Sequence, residues 1–185
     1  MNAGGYAPYL LVGVVAAVAG FSIYQMSQPP QPSPAPEVAV TAPQDLLGAP
    51  RPAFTLPDLT GQPVSISAWD GQVILLNFWA TWCPPCREEM PDLADVQGEF
   101  GGRGFQVVGV AIDRPRAVAR FIEAVDVDYP QLVGRENAMA VADRYGNAYG
   151  ALPHSVLIDR DGVIRFIKAG QLSKQELTDE LLKLL

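Results

Sequence analysis

The sequence predicts an α/β domain with a mixed central β-sheet and helices on both of its faces. Three observations carry this expectation. Between Arg51 and Leu185, β-branched and aliphatic runs alternate with stretches of helical periodicity. One of these runs, Val73-Ile74-Leu75-Leu76-Asn77-Phe78-Trp79, is apolar almost throughout, as in a strand covered on both faces. The chain then closes on two apolar runs joined by Asp159-Arg160-Asp161-Gly162, a hairpin signal, followed by a capped helix.

Taken in order, Ala53–Leu56 and Pro63–Ile66 alternate apolar and polar residues around Asp58-Leu59-Thr60-Gly61-Gln62, which predicts an N-terminal β-hairpin. After the buried strand at 73–79, Cys83 precedes a helix with Pro84 in its first turn, where a missing N–H costs nothing. Pro91 falls further along and is expected to kink it. Gly101-Gly102 breaks the chain before a second buried strand from Phe105 to Val110. A helix over Pro115–Val125, a short strand near Tyr129–Val133 and a helix over Ala138–Tyr145 follow. Ser155–Ile158 and Val163–Ile167 form the closing hairpin. Ser173-Lys174-Gln175-Glu176 reads as a capping box, and Leu177, Leu181, Leu182 and Leu185 as the inward stripe of the last helix.

The chemistry concentrates in Trp82-Cys83-Pro84-Pro85-Cys86, which holds the only two cysteines among 185 residues. A strand, a turn and a helix start place one sulfur at the positive end of a helix dipole, where a thiolate is stabilised. The second sulfur is close enough to close a disulfide. A loop this small constrains the unfolded chain only slightly, so the pair is better suited to cycling than to scaffolding. A tetrahedral zinc site needs four ligands, and beyond this pair the chain offers a single histidine, His154.

Outside this motif the chain divides by composition. Residues 1–8 form a short tail, and residues 9–26 carry no charge and, counted with the uncharged flank from Tyr6, reach the ~20 residues a spanning helix needs, with Tyr6, Tyr9 and Tyr24 near the ends. No Lys or Arg precedes this segment and no A-x-A-type site directly follows it, which favours an uncleaved signal anchor over a cleaved signal. Residues 27–50 are rich in Pro, Gln, Ser and Ala, the composition of an extended linker. Residues 51–185 carry all 13 basic residues and all but Glu37 and Asp45 of the 20 acidic ones, with no basic run. Nucleic acid is therefore not an expected partner.

In these features the chain resembles the thioredoxin fold, and more narrowly the membrane-tethered TlpA/ResA-like group that includes the cytochrome c maturation thioredoxins. The resemblance runs from about Gly48 to Leu185. It rests on Phe54-Thr55-Leu56-Pro57-Asp58-Leu59 with Gly61, on Asn77-Phe78-Trp79-Ala80-Thr81-Trp82-Cys83-Pro84-Pro85-Cys86, on Tyr149-Gly150-Ala151-Leu152-Pro153 and on Leu157-Ile158-Asp159-Arg160-Asp161-Gly162. It implies a thioredoxin fold with an N-terminal hairpin and an extra helix and strand between Pro115 and Val133.

The same resemblance implies roles. Cys83 matches the exposed nucleophile and Cys86 the resolving thiol. Pro153 matches a cis-proline, and the backbone of Leu152 beside it is expected to pair with an extended substrate strand. Trp82 is expected to shield the disulfide and offer an apolar docking surface, while Trp79 packs beneath the loop. Glu89 matches an acidic residue on the Cys86 face of the helix, suited to relaying a proton. The chain also departs from familiar patterns. Asn77 stands where ordinary thioredoxins carry a buried Asp, and His154-Ser155 stands where the cytochrome c maturation members carry Glu-Thr.

The expectation is a thiol–disulfide oxidoreductase tethered to the bacterial inner membrane by one helix, its head in the periplasm or another extracytoplasmic space. It would reduce disulfide-bearing protein substrates, take electrons from a membrane dithiol donor and need no cofactor or metal. One rival is an oxidase or isomerase using the same sulfurs in the other direction. Another is a copper chaperone with Cys83, Cys86 and His154 as soft ligands.

Overall fold

The computed structural model describes residues 43–185 apart from residue 126, so the expected anchor at 9–26 lies outside the described residues. Among the described residues no helix is long and apolar enough to cross a membrane. A five-stranded sheet has the order β5-β4-β3-β6-β7. Its strands are β3 (Val73–Trp79), β4 (Phe105–Ile112), β5 (Gln131–Gly134), β6 (His154–Ile158) and β7 (Ile164–Ala169). β3 pairs parallel with β4, and β4 with β5, whereas β6 runs antiparallel to both β3 and β7. The expected mixed sheet is present, with the hairpin β1 (Thr55–Pro57) and β2 (Pro63–Ser65) as a separate two-stranded sheet.

Every residue of β3 is buried, as its unbroken apolar run requires of a strand sandwiched between layers. Because successive side chains alternate, β3 feeds two cores. Val73, Leu75 and Trp79 pack with α1 (Pro84–Phe100), α2 (Pro115–Val125) and α4 (Lys174–Leu181). Ile74, Leu76 and Phe78 pack with α3 (Glu136–Arg144) and the N-terminal hairpin. Asn77 is the polar exception on the α1 side, fully buried. α1 runs unbroken through Pro91. The extra helix and strand are α2 and β5, with α2 matching the expected bounds.

Two expectations are corrected at the C-terminus. Leu182 is 53% exposed rather than on the inward stripe, and Leu184 packs against the core instead. At 100° per residue, Leu182 stands one step off the face that Leu177 and Leu181 bury. Only half of the capping box forms. The Ser173 hydroxyl accepts the Glu176 N–H, but the Glu176 carboxylate accepts from Lys168 Nζ at 2.8 Å. A cation on a neighbouring strand outcompetes the helix's own N-cap.

One close approach explains a glycine inside a strand. Gly109 of β4 lies opposite Gln131 of β5, and a Cβ there would run into the Gln131 amide. That amide accepts the Trp79 indole N–H at 2.9 Å, with both side chains buried. Gly109→Ala is therefore expected to displace Gln131, orphan the indole N–H and destabilise the protein by about 1–3 kcal/mol, read by urea denaturation.

Candidate active site

Cys83 caps α1, and its sequence context dictates how. Pro84 and Pro85 have no N–H, so the first donors of the helix are the amides of Cys86 and Arg87. The Cys86 N–H points at Cys83 Sγ, 3.3 Å away, and the Arg87 N–H at the Cys83 carbonyl at 3.2 Å. A thiolate on Cys83 would receive this hydrogen bond and the positive end of the helix dipole. Cys83 and Cys86 are joined by a disulfide, with 5.3 Å between their Cα atoms.

The resemblance implied an exposed nucleophile, and the structure modifies that picture. Cys83 is 4% exposed and Cys86 wholly buried, so Cys83 is the more accessible sulfur by a narrow margin. The loop leading to it is pinned by Asp113 at the end of β4. Its Oδ2 accepts from the Thr81 N–H at 3.1 Å and from Thr81 Oγ1 at 2.5 Å. Burial raises the Asp113 pKa, but hydrogen bonds from Thr81 and Arg114 and the Arg114 charge outweigh it and hold the carboxyl below its usual range. Sequence reasoning passed over Asp113, because nothing local ties it to a loop 32 residues earlier.

Glu89 is fully buried one turn beyond Cys86, on the same face of α1. Its Oε1 accepts from Asn77 Nδ2 at 2.7 Å, and its Oε2 from the Leu172 N–H at 2.8 Å. Burial pushes its pKa from 4.5 to about 7 even though both hydrogen bonds favour the anion. Glu88 is exposed, as a solvated acid should be. The Tyr129 hydroxyl lies in the same core, its pKa pushed up by burial and by the Glu89 charge.

Antiparallel pairing of β6 with β3 brings Leu152 and Pro153 to the end of the sheet from which the Cys83 loop leaves. The Leu152–Pro153 bond is cis, as expected. Leu152 is half-buried and makes no backbone hydrogen bond among the described residues. Trp82 is 66% exposed and edges a groove of about 640 Å3 that Arg114, Arg135 and Met139 also line. Trp79 is buried beneath, as expected, and Trp69 sits half-buried at the rim of the other core.

His154 belongs elsewhere. Its Nε2 lies 2.9 Å from the Tyr145 carbonyl, so that nitrogen carries the proton, and its ring packs at a tilt against Phe78 on the face of β3 turned away from α1. Burial lowers its pKa, keeping it neutral. Among the described residues no three His, Cys, Asp or Glu side chains gather to hold a metal ion, so the three ligands of the copper rival do not converge.

A disulfide at the N-terminus of a helix that carries a buried carboxylate and packs on a mixed sheet defines a thioredoxin-fold disulfide oxidoreductase. Comparison with known proteins agrees. Residues 47–167 match the AhpC/TSA family. The thiol-disulfide oxidoreductase ResA of Geobacillus kaustophilus is 32% identical over 138 residues, 73% of this chain and 76% of that one. The thioredoxin-like protein YneN of Bacillus subtilis is 34% identical over 138 residues, 72% and 78% of the two chains. Among solved structures, a thiol:disulfide interchange protein of the thioredoxin family from Chlorobium tepidum superposes with a TM-score of 0.64 at 30% identity, covering 73% of this chain and 94% of its own. The thioredoxin domain of a thiol-disulfide oxidoreductase from Bacteroides vulgatus gives 0.65 at 29%, covering 74% and 96%. The chain belongs to the AhpC/TSA family, in its TlpA/ResA-like branch of thiol–disulfide oxidoreductases.

Proposed function

We propose that this protein is a reductase of protein disulfides, held at the bacterial inner membrane by residues 9–26, with residues 51–185 in the extracytoplasmic space. The observation that carries the reductive chemistry is the Cys86 N–H aimed at Cys83 Sγ, with Glu89 buried one turn below. In the reduced enzyme the Cys83 thiolate attacks one sulfur of a substrate disulfide. A mixed disulfide forms, and the other substrate sulfur leaves as a thiolate that takes a proton from water. Cys86 then passes its proton to the Glu89 carboxylate and attacks Cys83 Sγ, releasing the second substrate sulfur. Two electrons have moved to the substrate and the enzyme disulfide has re-formed. A membrane dithiol donor restores the dithiol. No cofactor or metal enters these steps.

Substrate recognition falls to Trp82, Leu152 and Pro153. The backbone N–H and C=O of Leu152, free among the described residues, can add an extended substrate segment by strand pairing, while Trp82 covers apolar side chains flanking the target cysteine. Trp82→Ala removes an exposed side chain, so it is expected to leave the fold intact and weaken reduction of a protein disulfide about tenfold, while exchange with dithiothreitol stays unchanged. Disulfides of apocytochromes c are the substrate that the family resemblance singles out for testing. Given dithiothreitol, the full-length protein should accelerate reduction of an apocytochrome c disulfide and of insulin. Acceleration of disulfide formation in reduced ribonuclease, with no reduction of either substrate, would favour the oxidase reading. Retention in the membrane fraction after alkaline extraction, with the head open to external protease in spheroplasts, is the expected sign of the tether.

A further inference from the structure

Beneath the disulfide, the buried side chain of Asn77 poses an accounting problem. Both hydrogens of its amide are used, one on Glu89 Oε1 at 2.7 Å and one on Ser155 Oγ at 3.0 Å. Its Oδ1 is buried and has no partner. A buried carbonyl without a partner loses its hydration with nothing in exchange. An amide, unlike a carboxylate, has a donor end and an acceptor end of the same shape. In the arrangement described, the donor end serves an ionised Glu89. A half-turn about the Cβ–Cγ axis would put Oδ1 where Nδ2 now lies, between Glu89 and Ser155.

We infer that Asn77 is a positioning residue that reverses with the proton on Glu89, donating through Nδ2 to the carboxylate and accepting through Oδ1 from the carboxylic acid. Ser155 follows it, its hydroxyl accepting from Nδ2 in the first state and donating to Oδ1 in the second. Each state keeps both hydrogen bonds and leaves one end of the amide unpaired. Neither protonation state of Glu89 is therefore abandoned by its neighbours, as a carboxyl that takes and returns the Cys86 proton requires. An Asp at position 77 would face an ionised Glu89 with like charge and no donor.

The other groups around Glu89 do not duplicate this role. From its own helix, Cys86 lies one turn away. From the segment before α4, the Leu172 N–H donates to Oε2 and cannot reverse. From the segment before β5, the Tyr129 phenol faces the same core and stays neutral. Burial raises the Glu89 pKa against two neutral donors that lower it, with no cation among the causes.

The inference rests on the proposed proton-carrying role of Glu89, and isotope-edited infrared spectroscopy of the full-length protein separates the two. With 13C at the asparagine side-chain carbonyl, the Asn77 band, assigned by its loss in Asn77→Asp, should sit at the position of an unbonded amide at pH 9. It should move to lower frequency on acidification, with the midpoint near pH 7 at which the protonated Glu89 carbonyl band grows in. In Glu89→Gln the Asn77 band should no longer move with pH. An Asn77 band that keeps its unbonded position while Glu89 titrates would overturn the reversal and leave the role of Glu89 standing. Absence of any Glu89 titration between pH 5 and 9 would overturn both.

Discussion

Cys83→Ser is expected to abolish disulfide exchange, and Cys86→Ser to leave a protein that attacks but cannot let go. The two sulfurs are chemically alike, and only their places on α1 separate them. Cys83 receives the first helix N–H and keeps the small opening to solvent, whereas Cys86 is sealed in the core. Loss of the nucleophile removes the covalent path altogether, so turnover of insulin or dithiothreitol-coupled reduction should fall by about 10³-fold or more, to the uncatalysed rate. Cys86→Ser should accumulate a mixed disulfide through Cys83, visible on non-reducing gels and collapsed by dithiothreitol. Trapping through position 86 in Cys83→Ser would reverse the assignment of roles.

The second large effect is a pH dependence centred on Glu89. Its pKa rises from 4.5 in the unfolded chain to about 7 in the fold, so the folded state binds the extra proton between those values. Its contribution to stability is full below about pH 4.5 and is lost as pH rises through about 7, a change on the order of 3 kcal/mol. His154 works the other way. Its lowered pKa makes the fold lose stability as pH falls below 6.5. Only the difference from a variant isolates Glu89, and Glu89→Gln should remove the decline between pH 5 and 8 in urea melts while keeping any acid-side loss. Activity has the opposite sign to stability. The carboxylate must be ionised to accept the Cys86 proton, so release of the mixed disulfide should slow as pH falls through about 7, and Glu89→Gln should flatten that profile.

Much of this site is local and therefore legible in the sequence. The apolar run 73–79 could only be a doubly covered strand, and it is β3 residue for residue. Cys86 and Glu89 share one helix face by their i,i+3 spacing, and Cys83 stands at the helix start, so their grouping needed no tertiary information. What the sequence could not reveal lies across the chain. Ser155 reaches Asn77 over 78 residues, and Leu172 reaches Glu89 over 83. Those contacts depend on the register of β6 against β3 and on where the segment before α4 crosses, both set by packing of the whole domain. The same holds for Glu176, whose cap partner lost to Lys168 on β7. The exposure of Leu182 is illegible for a simpler reason, since a run of leucines hides which of them the 3.6-residue period turns inward.

The central claim is that the Cys83–Cys86 pair serves as a reductant, and its equilibrium reduction potential tests this most directly. Full-length protein, equilibrated with graded dithiothreitol and glutathione buffers and then alkylated, should titrate as a two-electron couple at or below about −250 mV, among thioredoxin-like reductants. A midpoint between about −120 and −180 mV would place the pair with disulfide oxidases and isomerases and contradict the reductase assignment.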